Sequence, residues 1–187
     1  NRVDSMIEIE FDINEWAQWA LEIDDDTLRP NVNPYVYAFL LSNYEKAMFT
    51  DFDPEDITKP FLTPRKWETL SKALYKAEDR GGNHRHVSYA RIKSIIGDGD
   101  IYDAFIALYE KEPLDIDKVQ RGEYSPKDFA KEEDKFLAMS FLLASDVDPM
   151  AAEVFVETCL GKEKLKTYQV MSNMKASIKK DKTVKAA

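Results

Sequence analysis

Three features of the sequence predict an all-α fold, a bundle of about eight helices preceded by one short N-terminal β-strand. Apolar residues recur at helical spacing through most of the chain. Helix starts are written repeatedly as a capping residue followed by proline, at Asn33-Pro34, Thr63-Pro64 and Asp148-Pro149. A single stretch, Met6-Ile7-Glu8-Ile9-Glu10-Phe11, alternates apolar and acidic residues with the period of a half-buried strand.

The composition sets outer bounds. With 187 residues and 44% hydrophobic content, the chain is long enough for one domain with a real core, or a domain plus an appendage. A net charge of −9 argues against a nucleic-acid groove and against an anionic membrane surface. No apolar run approaches the roughly 20 residues of a membrane span. Asn1-Arg2-Val3-Asp4 lacks the apolar core of a signal peptide. The single Cys159 cannot form an internal disulfide, which fits a reducing cytoplasm; set among Val154, Phe155, Val156 and Leu160, it reads as a small buried residue. Because the chain opens on Asn rather than Met, it is expected to be a portion of a longer polypeptide.

Taken in order, Asp12 caps a helix carrying Ile13, Trp16, Ala17, Ala20 and Leu21, with Glu15 at capping-box spacing. The run Asp24-Asp25-Asp26 ends it and reads as solvated carboxylates rather than a cation site. Asn33-Pro34 starts an aromatic-rich helix with Tyr35, Val36, Tyr37, Phe39 and Leu40, the expected centre of the fold. Asp51-Phe52-Asp53-Pro54-Glu55-Asp56 lacks the glycine and glutamate of a calcium loop. Asp79 to His86 reads as an exposed loop around Gly81-Gly82; His84 and His86 have no third ligand with which to hold zinc. Tyr89, Ile92, Ile95 and Ile96 mark a short helix. Gly97-Asp98-Gly99-Asp100 breaks it and opens another with Ile101, Ala104, Phe105 and Leu108. Beyond Pro126, one helix carries Phe136, Leu137, Met139, Ser140 and Leu143. A second starts at Asp148-Pro149 and ends near Gly161, and a third runs from Lys164 to about Ile178. The lysine-rich residues after it are expected to fray. There is no internal repeat.

The chain is organised around Phe61 to Leu74. Thr63 caps, Pro64 takes the first helical position, and Trp67, Leu70, Ser71 and Leu74 form one buried stripe at i, i+3, i+4 and i+7. At about 100° per residue, Arg65 points away from that stripe. A guanidinium is a planar, always-charged fork suited to phosphate oxygens. Read alone, Arg65 serves as well in a surface salt bridge.

The pattern Thr63-Pro64-Arg65-x-Trp67-Glu68, about sixty residues after Asn1-Arg2-Val3 and a short strand, resembles the lid region of MoxR-like AAA+ ATPases; the likeness covers roughly Asn1 to Tyr124. It implies that Arg65 is a sensor-2 arginine touching the γ-phosphate of ATP, and that Arg2 lies where such proteins offer an arginine finger to a neighbouring subunit. It implies an upstream ATPase core, ATP and Mg held by that core, a ring of subunits (a hexamer) and chaperone-like remodelling of a partner protein, often one with a von Willebrand A domain. The chain then divides into an exit strand (1–11), a lid-like helical domain (12–124), a C-terminal helical extension (125–178) and a basic flexible tail (179–187). The chain has no Walker A sequence, metal-ligand set or Ser-His-Asp arrangement, so alone it is expected to be inactive and to bind no cofactor. The alternative is a stand-alone acidic helical adaptor without catalytic activity that docks a partner through exposed aromatics.

Overall fold

In the computed structural model, which describes residues 12–24, 26–48, 61–79 and 87–185, the chain is an all-α bundle. Nine α-helices occur among these residues: α1 (Ile13–Leu21), α2 (Pro34–Ala47), α3 (Pro64–Asp79), α4 (Tyr89–Ile96), α5 (Asp100–Tyr109), α6 (Ile116–Gln120), α7 (Glu132–Ala144), α8 (Pro149–Phe155) and α9 (Lys162–Lys185). The expected strand at 6–11, Arg2, the acidic loop 51–56 and the histidine loop 80–86 lie outside the described residues.

The core is built around α2. Val32 to Leu40 is buried on every side, as a helix that is apolar all round must be. It packs chiefly on α7, whose Leu137, Ala138, Met139, Leu142 and Leu143 are buried in turn, and it also meets α1, α3 and α5. Aromatic edges fill the gaps. Tyr35 meets Tyr109 and Phe141 edge-on at 5.6 and 5.2 Å, while Phe39 lies 5.4 Å from both Trp67 and Phe105. The Tyr35 hydroxyl donates to the Lys111 carbonyl at 2.6 Å, so its polar tip is satisfied inside the bundle. At Asn43 the helical dihedrals break (φ −136°, ψ 17°), and the Asn43 amide nitrogen bonds the Phe39 carbonyl at 3.0 Å. A side chain that returns to the backbone of its own helix is a recognised cause of such kinks.

The helix–glycine–helix unit forms as its sequence implies. Ser88 caps α4, its hydroxyl accepting from the Arg91 amide at 3.3 Å. Gly97 (φ 87°) and Gly99 (φ 105°) then turn the chain through dihedrals that side-chain-bearing residues avoid. Two ends differ from expectation. The last turn after α8 widens into a π-helix over Val156–Leu160 before Gly161 (φ 109°) closes it. And α9 continues to Lys185, past the expected end near Ile178. No proline or glycine interrupts 162–185, lysine is a good helix former, and lysines near a C-terminus suit the helix dipole.

The connection from α1 to α2 is a tight hairpin. Asp24 N donates to Arg29 O at 2.8 Å, Asn31 N to Glu22 O at 2.9 Å, and Ile23 and Pro30 form an antiparallel bridge. The Asp24 carboxylate accepts from Asp26 N, Thr27 N and the Thr27 hydroxyl at 3.2, 2.8 and 2.9 Å. Leu28 N donates to Asp24 O at 2.8 Å, and Leu28 itself is held in the left-handed region at φ 56°. That conformation costs a bulky residue about 1–2 kcal/mol.

Candidate functional site

The first turn of α3 is placed by its back face. Trp67 is 1% exposed; its indole N–H donates to the Ala47 carbonyl at 2.7 Å, and its ring lies 5.9 Å from Phe105. Leu70, Ser71, Leu74 and Ala77 continue the buried side. Lys66 N and Trp67 N donate to the Thr63 carbonyl at 3.0 and 3.4 Å, closing the first turn on the expected capping residue. Lys66 sets its ammonium 5.6 Å from the centre of the Phe61 ring.

Opposite the buried side, Arg65, Thr69, Lys72 and Lys76 are all exposed, at i, i+4, i+7 and i+11. Thr69 donates its hydroxyl back to the Arg65 carbonyl at 2.8 Å, and Lys72 pairs with Glu68 at 2.5 Å. The Arg65 guanidinium meets no acidic group or hydrogen-bond acceptor among the described residues. The result is a cationic line on an acidic protein, headed by a fork whose donors are open and whose helix is anchored from behind. Such a line can accept phosphate or carboxylate oxygens; Lys72 alone is already committed to a carboxylate.

A second polar cluster escaped the sequence reading. Asn33, 1% exposed, caps α2 by accepting from Tyr35 N at 3.1 Å. Its own N–H donates to the Ser71 hydroxyl at 2.7 Å, and its side-chain amide donates to Glu78 at 3.1 Å. Arg29 approaches Glu78 at 3.8 Å and Asp79 at 2.7 Å, and lies 5.3 Å from the centre of the Tyr75 ring. Tyr75 donates to the Val32 carbonyl at 3.2 Å. Burial raises the Glu78 pKa above its ordinary value, while the Asn33 hydrogen bond and Arg29 oppose that shift. Burial likewise pushes the Tyr75 hydroxyl up. Every member of this cluster is satisfied locally, so it locks α3 to the start of α2. The sequence showed the cap and the i+4 placement of Ser71, but not that the two would meet across 38 residues.

Two clefts of about 440 and 470 Å³ flank Tyr124. The first is lined by Lys111, Leu114, Phe129, Asp134 and Leu137, and its charges are already paired, Lys111 with Asp134 and Glu133. The second is lined by Val119, Met150, Val154, Phe155 and Cys159. Cys159 is a buried free thiol whose Sγ donates to the Tyr124 carbonyl at 3.5 Å, in keeping with the packing role read from its neighbours. Among the described residues no group of three or more His, Cys, Asp or Glu side chains could hold a metal ion, and no helix is long and apolar enough to cross a membrane. Asp24, from the acidic run, spends its carboxylate on its own turn. No protein-family model, curated protein or solved structure matches this chain.

Proposed function

We propose that this helical unit is the lid portion of a MoxR-like AAA+ ATPase, and that Arg65 is its sensor-2 residue. The observation that carries the reading is the start of α3: a guanidinium in the first turn, open among the described residues, on a helix fixed by Trp67, Leu70 and Leu74. A cation in a first turn opposes the helix dipole, so stability alone gives little reason for it. A fork held in one place reaches the oxygens of a terminal phosphate and steadies the charge that develops there during transfer.

The described residues fit the phosphate and not the metal. They supply donors for phosphate oxygens but no carboxylate set for Mg. In this reading ATP, Mg and the attacking water belong to a core upstream of the lid, which supplies the phosphoryl-transfer chemistry; the chain described here receives the phosphate at Arg65 and moves with it. The same reading carries a cytoplasmic ring, a hexamer, acting on a partner such as a von Willebrand A-domain protein, with Arg2 reaching the neighbouring subunit.

The test is ATP turnover by the full-length polypeptide. Arg65→Ala is expected to lower kcat on the order of 100-fold with folding intact, whereas unchanged turnover removes the role. A second reading, an acidic adaptor, is favoured by the exposure of Trp19, Phe61 and Tyr89. It requires that no nucleotide-binding core accompany the chain, and a nucleotide-binding assay on the full-length polypeptide separates the two.

A further inference from the structure

We propose that copies of this chain associate by seating Leu28 of one copy in the apolar pocket between α1 and α9 of another. This rests on neither Arg65 nor a nucleotide.

Leu28 is 78% exposed at the tip of the α1–α2 hairpin. A loop of this kind ordinarily places Gly or Asn where φ is positive, and a large apolar side chain there is both strained and wet. The hairpin bonds around it, with the Asp24 carboxylate accepting three hydrogens, fix the backbone that presents Leu28 to solvent. Pre-organised display of a branched apolar group suits a residue that fills a pocket on binding.

The chain also carries a pocket of matching character. Ala17 and Leu21 of α1, Tyr37 of α2, and Lys166, Val170 and Met171 of α9 line a cavity of about 340 Å³. Thr167 also lines it, and the Tyr37 hydroxyl donates to the Met171 sulfur at 3.8 Å. Val170 stands 54% exposed beside it.

Charge selects a second copy as the occupant. The exposed Asp26 lies two residues from Leu28, and the exposed Lys166 is among the residues that line the pocket. Neither forms an ion pair among the described residues. Leu28 is exposed and does not line the pocket of its own chain, so a knob beside an acid and a hole beside a lysine are left to complement each other between copies. Such a contact closes into a symmetric dimer when reciprocal, and into a ring or an open chain when head-to-tail.

Sedimentation velocity of the 187-residue chain, from micromolar to millimolar concentration, tests this directly. Concentration-dependent association is expected for the wild type. Leu28→Gly removes the knob and relieves the positive φ, so it leaves the thermal transition unlowered while weakening association at least about 10-fold. Val170→Asp spoils the hole from an exposed position and has the same effect. Mixing the two variants restores one knob–hole contact per pair and so yields heterodimers, because one still carries a knob and the other a hole. A wild type that stays monomeric throughout, association that survives Leu28→Gly, or a mixture that stays dissociated overturns the proposal.

Discussion

The starts of α2 and α3 are written alike and used differently. Each has a polar capping residue, then proline, then an apolar stripe. At α2 the capping residue is sunk into the protein: Asn33 is tied to Ser71 and Glu78, and the whole first turn is buried. At α3 the cap and the first turn lie toward the surface, and Arg65 points outward. The same local signal therefore produces a keystone in one place and an open end in the other. The difference comes from the neighbours: α2 is enclosed by α1, α3, α5 and α7, whereas α3 is covered on one side only. A helix start contributes to stability when it is enclosed, and it is available to a ligand when it is not.

The contrast within α3 predicts the largest effect. Trp67 and Arg65 are two residues apart on opposite faces. Trp67→Ala removes a fully enclosed indole, its hydrogen bond to Ala47 and its contacts with Phe39 and Phe105. A loss of about 3–5 kcal/mol in urea unfolding is expected. A loss under about 1 kcal/mol would mean that the α3 back face is not the anchor described here.

Next comes the enclosed cap. Asn33→Ala deletes the cap on Tyr35 N and leaves the Glu78 carboxylate without its amide donor. About 2 kcal/mol is expected, above an ordinary exposed cap, because the Asn33 side chain is enclosed and two of its hydrogen bonds are lost together. Thr63→Ala, at the start of α3, should cost less than Asn33→Ala, and the reverse order would break the comparison.

Much of this was legible in the residues themselves. The α3 stripe, the two glycines between α4 and α5, and the three proline starts are local signals, and each appears where its spacing puts it. What the sequence withheld depends on distant parts of the chain. Ser71 read as one member of an apolar stripe; that its hydroxyl would meet Asn33 N depends on how α3 docks against α2. The π-turn at Val156–Leu160 leaves no periodic trace, since one extra residue in a turn shifts the stripe by less than the stripe's own width. Leu28 is the opposite case. Its neighbours Asp26, Thr27 and Pro30 are ordinary turn residues, but nothing in the sequence says that the leucine takes the left-handed position. At the site itself, the outward position of Arg65 followed from helical geometry alone, while the satisfied cluster around Glu78 did not.

That cluster gives the pH dependence. The folded-state pKa of Glu78 is raised, first by burial, above its ordinary value of 4.5. The folded protein thus holds this proton more tightly than the unfolded chain, so this group's contribution is fully present below the unfolded pKa and is lost as pH rises through the folded one. Stability from this source falls between the ordinary glutamate value and the raised one. Glu78→Gln keeps an acceptor for the Asn33 amide and removes the titration. Chemical denaturation across that window is expected to show a shallower decline for the variant than for the wild type, and an unchanged slope would place the pH dependence elsewhere.

Arg65→Ala should be the least consequential for folding, within about 0.5 kcal/mol of wild type. Arg65 makes no ion pair among the described residues, its backbone bond with Thr69 is retained, and removing a cation from a first turn relieves a small conflict with the helix dipole. Urea unfolding reports the contribution of Arg65 to folding, and turnover by the full-length polypeptide reports its contribution at the phosphate. A midpoint that holds while turnover collapses means that the open helix start faces a phosphate. An unfolding free energy that falls by more than about 1 kcal/mol makes Arg65 a structural residue like Asn33, and the distinction between enclosed and open helix starts would then fail at α3.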